Sequence, residues 1–253
     1  MLRYHSLTNH YNTKELEKFY IPKNTLFCVT EKLHGANISI KYHSTGEVKY
    51  FSRNNEITDS NFYNAGAVFE EVINKTKEAI IQFCVEENVN VILFGELFGD
   101  NIQNGVDYGT KKRISFFDMY VETSTDLVLL SQEKFFSFAE KFNLTTVPLL
   151  KKGLSLEEAL DFDSVFDSLE GTKEDNTCEG IVIKPYFEVI YDKFNQSIFY
   201  IKKKNEAFKE KCGIKKEKPV LDDKVIFYSS EFDAYINEER VQNVFSKEGK
   251  IET

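Results

Sequence analysis

The chain has 253 residues, of which 42% are hydrophobic and 29% charged, with a formal net charge of -9 and a pI near 5.2. That length suffices for a full core in one large or two small domains, and the composition is that of a soluble globular protein. No apolar run reaches membrane-spanning length and the N-terminus is no signal peptide; the acidic total excludes a generic basic nucleic-acid coat but not a local basic cleft. The cysteines Cys28, Cys84, Cys178 and Cys212 are scattered without a Cys-x-x-Cys pair. This argues against a zinc site or a disulfide framework and for a reducing, cytoplasmic location.

In chain order, residues 4–20 open with polar turn residues and become a short amphipathic helix through Leu16 and Phe19, stopped by Pro22. An apolar run (Leu26, Phe27, Cys28, Val29) leads into Glu31-Lys32-Leu33-His34-Gly35, and a second run follows with Ile38 and Ile40. This pattern reads as a strand, a tight turn permitted by Gly35, and another strand. A lysine fixed there has what an amine nucleophile needs: placement, partial desolvation and nearby cations that lower its pKa from about 10.4. Lys-x-x-Gly by itself is equally compatible with a solvated turn.

Residues 48–53 read as a strand ending in Arg53, and Val68, Val72, Ala79, Ile80 and Phe83 recur at helical spacing over residues 65–85. Residues 89–99 form a buried strand carrying Glu96 between glycine-flanked neighbours; a buried carboxylate requires a donor or a ligand hydroxyl. Residues 114–121 form another strand, Phe135, Phe136, Ala139 and Phe142 mark a second packing helix, and Ser155-x-x-Glu158 caps a third. Residues 170–176 form a surface loop. Two further strands carry Glu179-Gly180-Ile181-Val182-Ile183-Lys184-Pro185 and Ile201-Lys202-Lys203-Lys204-Asn205. Strand alternation turns Lys202 and Lys204 to one face and Lys203 to the other. A basic stretch follows (Lys209, Lys211, Lys215, Lys216, Lys218), and a last amphipathic helix spans about 232–245.

Taken singly, Glu96 is compatible with a satisfied core carboxylate, Phe117 with core packing, and the lysine pair with a solvated strand end. Together and in this order they resemble the nucleotidyltransferase motifs of polynucleotide ligases and capping enzymes. More closely, the chain is similar to the RNA ligase 2 family, the phage and trypanosome-editing type that seals nicked double-stranded RNA. The resemblance runs through Tyr4-x-Ser-Leu-x-Asn-His-Tyr-Asn, Glu31-Lys32-x-His34-Gly35-x-Asn37, Phe94-Gly95-Glu96, Phe117-Asp118, Glu179-Gly180-x-Val182-x-Lys184-Pro185 and Ile201-Lys202-x-Lys204-Asn205. His34 is the discriminating residue, since DNA ligases and capping enzymes typically carry aspartate there. Thr30 departs from the family, which has a basic residue at that position.

The resemblance implies an α+β nucleotidyltransferase fold of the ATP-grasp-like ligase kind, with antiparallel sheets flanked by helices around a nucleotide cleft. It implies an adenylyltransferase domain over residues 1–228 and, over 229–253, a helix like the start of a C-terminal domain. Lys32 would attack the α-phosphorus of ATP, and AMP would pass to an RNA 5′-phosphate for displacement by a 3′-hydroxyl. Lys32, His34, Glu179, Lys202 and Lys204 are the implied catalytic set. Glu31, Asn37, Arg53, Glu96 and Phe117 join it around the nucleotide, Glu96 on a ribose hydroxyl and Phe117 on adenine. Glu179 is the implied carboxylate for Mg2+ or Mn2+, and Tyr4, Asn37, Arg53, Lys209 and Lys211 are the implied RNA contacts. Asp118 and Lys184 are open between functional and structural roles. The competing readings are a DNA ligase, a capping-type nucleotidyltransferase, and a non-catalytic RNA-end-binding protein.

Overall fold

The computed structural model describes residues 3–58, 62–194 and 197–208, all within one compact unit that ends at Phe208. The expected basic stretch with Lys209 and Lys211, the 232–245 helix and the boundary at residue 228 lie outside the described residues. In chain order the elements are β1 (Thr8–Asn9), α1 (Thr13–Leu16), β2 (Phe27–Glu31), β3 (Ala36–Tyr42), β4 (Val48–Ser52), α2 (Gly66–Glu86), β5 (Asn90–Phe98), β6 (Arg113–Glu122), β7 (Leu127–Leu129), α3 (Gln132–Lys141), β8 (Leu149–Leu154), α4 (Leu156–Asp161), β9 (Gly180–Pro185) and β10 (Ile201–Lys204). They build two five-stranded sheets, ordered β1-β10-β9-β2-β8 and β4-β3-β5-β6-β7. Every strand pair is antiparallel except β1 with β10. Among the described residues no helix is long and apolar enough to cross a membrane.

Period-two alternation decides what each sheet face does. In the first sheet Phe27, Val29, Ile181, Ile183, Phe199 and Ile201 pack outward against Leu16, Phe19, Ala159 and Leu160. In the second, Ile38, Ile40, Leu93, Leu97, Ile114, Phe116 and Met119 pack against Phe69, Ile80, Cys84, Phe135 and Phe138 of α2 and α3. The opposite faces of the two sheets meet through Ile92, Phe94, Tyr120 and Leu129 on one side and Ile198 and Tyr200 on the other.

A β-bulge breaks the alternation in the second sheet, between β5 and β6. Phe94 pairs with Asp118 and Gly95 with Phe116, which leaves Phe117 as the extra residue. Phe116 and Met119 both lie in the helix-side core, so Phe117 and Asp118 both turn toward the other sheet. Asp118 is fully buried and bonds Lys184 of β9 at 2.9 Å, and Lys184 itself is 2% exposed. Lys184 Nζ also donates to the Phe117 carbonyl at 2.8 Å, and Gln132 Nε2 donates to Asp118 at 2.6 Å. The Tyr200 hydroxyl adds a bond at 3.3 Å, and the Tyr4 hydroxyl donates to the other carboxylate oxygen. The pair therefore ties the two sheets together, a structural role for both residues.

Three expectations shift in detail. The first helix ends at Leu16, because Phe19 leaves it to form a bridge with Asp192. Residues 172–175 of the expected surface loop are exposed, but Asn176 at its end is buried, its side-chain oxygen accepting from the Asp107 N–H and its Nδ2 donating to the Asp107 carbonyl. Strands β1, β7 and β8 are additions to the expected set; β1 has two residues, β7 has three, two of them exposed, and β8 carries bulges that erase its alternation.

Removing one member of a buried ion pair strands the other, at a cost of about 3–5 kcal/mol. Asp118→Ala and Lys184→Met should each lower the unfolding free energy by about that much in urea titrations. The double variant should lose clearly less than the sum, and strictly additive losses would contradict the inter-sheet role.

Candidate active site

Lys32 directly follows β2, and its backbone N–H donates to the Gly180 carbonyl at 2.9 Å, which extends the pairing of β2 with β9 into the turn. Leu33 anchors the turn by burial among Phe98, Val106, Tyr108 and Val147. Gly35 then lets β3 start hard against β5: a Cβ there would stand 2.2 Å from the Leu97 carbonyl oxygen. Its N–H donates to Glu96 Oε1 at 3.1 Å. The sequence pattern strand–turn–strand thus delivers Lys32 to the gap between the sheets with its backbone held on both sides.

Three cationic or imidazole side chains converge on Glu179. Lys32 Nζ lies 2.7 Å from Oε2, His34 Nδ1 3.3 Å from the same oxygen, and Lys204 Nζ 3.0 Å from Oε1. Glu179 is 2% exposed, whereas the lysine side chains keep 20% and 16% of their surface open. Burial pushes its carboxyl pKa up, but the His34 contact and the charges of Lys32 and Lys204 outweigh burial and hold it at about 2. Lys204 pairs with Gly180, which in turn binds Lys32, so the two ammonium groups line up across three strands. Gly180 has φ +147°, and a Cβ there would lie 2.1 Å from the Lys203 carbonyl oxygen.

The alternation expected in β10 holds. Lys203 points away from the site and donates to the Leu160 and Phe162 carbonyls at 3.0 and 2.9 Å, satisfying the end of α4. Lys202 shares the other face with Lys204.

The second sheet supplies the facing wall. Asn37, Glu96 and Ser115 are direct cross-strand partners on β3, β5 and β6 and form one polar row. Arg53 follows β4 at the same end of the sheet and is exposed. Burial raises the half-buried Glu96 carboxyl to about 7, and the Glu179 charge pushes the same way against the pull of Lys32. Phe117 is half-buried, with Lys184 Nζ 5.2 Å from its ring centroid and the Tyr4 ring edge-on at 5.1 Å.

Two expected ligand contacts sit elsewhere. Glu31 faces the outer side of β2, where Ser168 Oγ donates to it at 2.5 Å and the Leu169 N–H at 3.0 Å. Alternation forces this, since Lys32 takes the inner face. Tyr4, expected at RNA, donates its hydroxyl to Asp118, because that buried carboxylate needs donors. Thr30 is 2% exposed, so no surface cation could stand at that position without rearrangement. Sequence reasoning passed over Tyr108, whose hydroxyl accepts the His34 N–H at 2.9 Å, and Asn104, whose carbonyl lies 3.0 Å from His34 Nε2. Nothing in their local pattern marks either residue, since both lie in an irregular loop.

Among the described residues no cluster of three or more His, Cys, Asp or Glu side chains could hold a metal ion. A hard divalent ion that keeps its waters and bridges phosphates needs only one or two carboxylates, and Glu179 fits that demand.

Because its folded pKa lies above the ordinary value of 4.5, Glu96 retains a proton that the unfolded chain releases. It therefore costs stability progressively as pH rises from about 4.5 to about 7, and the full cost persists above. Glu96→Gln should match the wild type near pH 4 and exceed it at pH 8 by about 1–2 kcal/mol, the residue's partial exposure tempering the effect. Parallel denaturation curves at the two pH values check this; an equal effect at both would refute the charge explanation.

The RNA ligase family matches residues 25–220, more than half of the chain. Among solved structures, an apo variant of Naegleria gruberi RNA ligase superposes with a TM-score of 0.61 at 21% identity, covering 82% of this chain and 56% of that one. A variant with ATP and Mn gives 0.60 at 20% identity, and one with AMP and Mn gives 0.58 at 19%, each covering 82% of this chain and 57% of the other. The chain therefore spans little more than half the length of those ligases. The two antiparallel-rich sheets and their flanking helices are the nucleotidyltransferase fold of RNA ligases, as the motifs around Lys32 and Glu179 led one to expect. The chain belongs to the RNA ligase family.

Proposed function

We propose that this chain is an ATP-dependent RNA ligase that seals 5′-phosphate/3′-hydroxyl nicks in duplex RNA through a lysyl-AMP intermediate on Lys32. The observation that carries this reading is the convergence of Lys32, Lys204 and His34 on the buried Glu179, opposite Glu96. Family membership and neighbours solved with ATP or AMP and Mn support the choice of nucleotide and of a divalent ion.

In the first step Lys32 Nζ releases its Glu179 contact, loses a proton and bonds to the α-phosphorus as pyrophosphate leaves. Next, an RNA 5′-phosphate oxygen takes the adenylyl group and Lys32 departs as the amine. The 3′-hydroxyl then bonds to the 5′-phosphorus and AMP leaves. Splitting the exchange through a covalent intermediate turns one difficult displacement into easier ones. Lys202, Lys204, His34 and Arg53 meet phosphate charge, Glu96 and Asn37 meet ribose hydroxyls, and the open side of Phe117 stacks on adenine. Glu179 is the carboxylate that would hold a divalent ion, and such an ion would supply neutralisation of phosphate charge there. Lys209 and Lys211 contribute to RNA affinity by phosphate neutralisation.

The test offers labelled ATP, GTP and NAD separately with Mg2+, then nicked RNA and nicked DNA duplexes bearing a 5′-phosphate. Label should enter the protein from ATP alone, and the RNA nick should be joined in preference to the DNA nick. Labelling by GTP would mark a capping-type enzyme, preferential DNA joining a DNA ligase, and no labelling a non-catalytic binder.

A further inference from the structure

We infer that Tyr108 is a positioning residue for the Lys32 nucleophile, acting through the backbone of His34; this rests on the reading of Lys32 given above. Displacing an attacking atom by a fraction of an ångström is costly, so whatever fixes the Lys32 turn bears on the rate. The turn is held from two flanks. On the upstream flank, Glu31 is bound by Ser168 and the Leu169 N–H. On the downstream flank, the His34 N–H is outside any strand ladder, and the Tyr108 hydroxyl accepts it at 2.9 Å.

Tyr108 is well placed to hold still. It is 4% exposed, its ring stands edge-on to Phe98 at 4.9 Å, and it shares a buried cluster with Leu33 of the turn. Its carbonyl accepts Arg113 Nη2 at 3.3 Å, while the same guanidinium reaches the Glu170 carbonyl at 2.7 Å and carboxylate at 2.5 Å. One residue earlier, Asp107 exchanges two 2.7 Å hydrogen bonds with the Asn176 side chain. The segments around residues 107–113 and 168–176 are thus cross-linked to each other, and each grips one flank of Lys32. The two grips form a single brace outside the charged cluster around Glu179.

Tyr108→Phe deletes the acceptor and keeps the ring. Single-turnover formation of lysyl-AMP should slow by about three- to tenfold at saturating ATP, the effect of one lost hydrogen bond. The ATP concentration for half-maximal rate should stay within about twofold, since the one hydrogen bond removed reaches the His34 backbone N–H and no side chain proposed to touch the nucleotide. Amide hydrogen exchange should quicken in the peptide covering residues 30–36 and not in the α2 peptides. An unchanged rate, or a raised half-saturating ATP concentration with an unchanged maximum, overturns the proposal. If the wild type forms no adduct, the Lys32 reading fails, and exchange alone then judges Tyr108: an unchanged turn peptide overturns its role, a quickened one upholds it.

Discussion

A carboxylate buried to 2% exposure must be compensated by opposite charge and hydrogen bonds, and Glu179 draws them from three side chains at once. Lys32 comes from the turn after β2, His34 from the same turn two residues on, and Lys204 from β10. A register shift in any of these would cost Glu179 one of its three partners, so the site and the first sheet specify each other. A second buried pair, Asp118 with Lys184, offers the contrast. Both of its members are closed from solvent and ringed by Tyr4, Gln132 and Tyr200. The Glu179 cluster keeps its lysines partly open. One pair clamps the sheets together; the other leaves its cations accessible to an anionic ligand.

The same alternation that buries apolar side chains sorts the charged ones by task. Lys203 and Glu31 face outward and satisfy the end of α4 and the loop at residues 168–169. Their neighbours Lys202, Lys204 and Lys32 face the gap between the sheets. The bulge at Phe117 puts two successive residues on one face, and it supplies both the ring at the cleft and the carboxylate of the clamp. A strict strand could have offered only one of them.

The strands, the long helix and the inner-facing lysines were legible because each rests on local periodicity within a few residues. The Lys32 turn was legible because Gly35 and the flanking apolar runs permit little else. Glu31 and Tyr4 lie apart from the Glu179 cluster for opposite reasons. Glu31 adjoins a site residue in sequence, but alternation sends it to the other face. Tyr4 lies far from any chemistry in sequence, yet long-range pairing of β1 with β10 carries it to Asp118. The grip of Tyr108 on His34 spans 74 positions and depends on an irregular loop, so no periodicity could reveal it. Strands β7 and β8 were invisible because one is too short and the other too irregular to show a pattern.

The central claim is that the side chain pointed by this turn into the Glu179 cluster is the one that becomes covalently charged. Mass-spectrometric mapping of peptides after incubation with ATP and Mg2+ addresses it directly. The account predicts a single AMP adduct, on the peptide containing Lys32, bound through an acid-labile phosphoramidate. An adduct on Lys202, Lys204 or any other lysine, or no adduct from a folded chain, would contradict it.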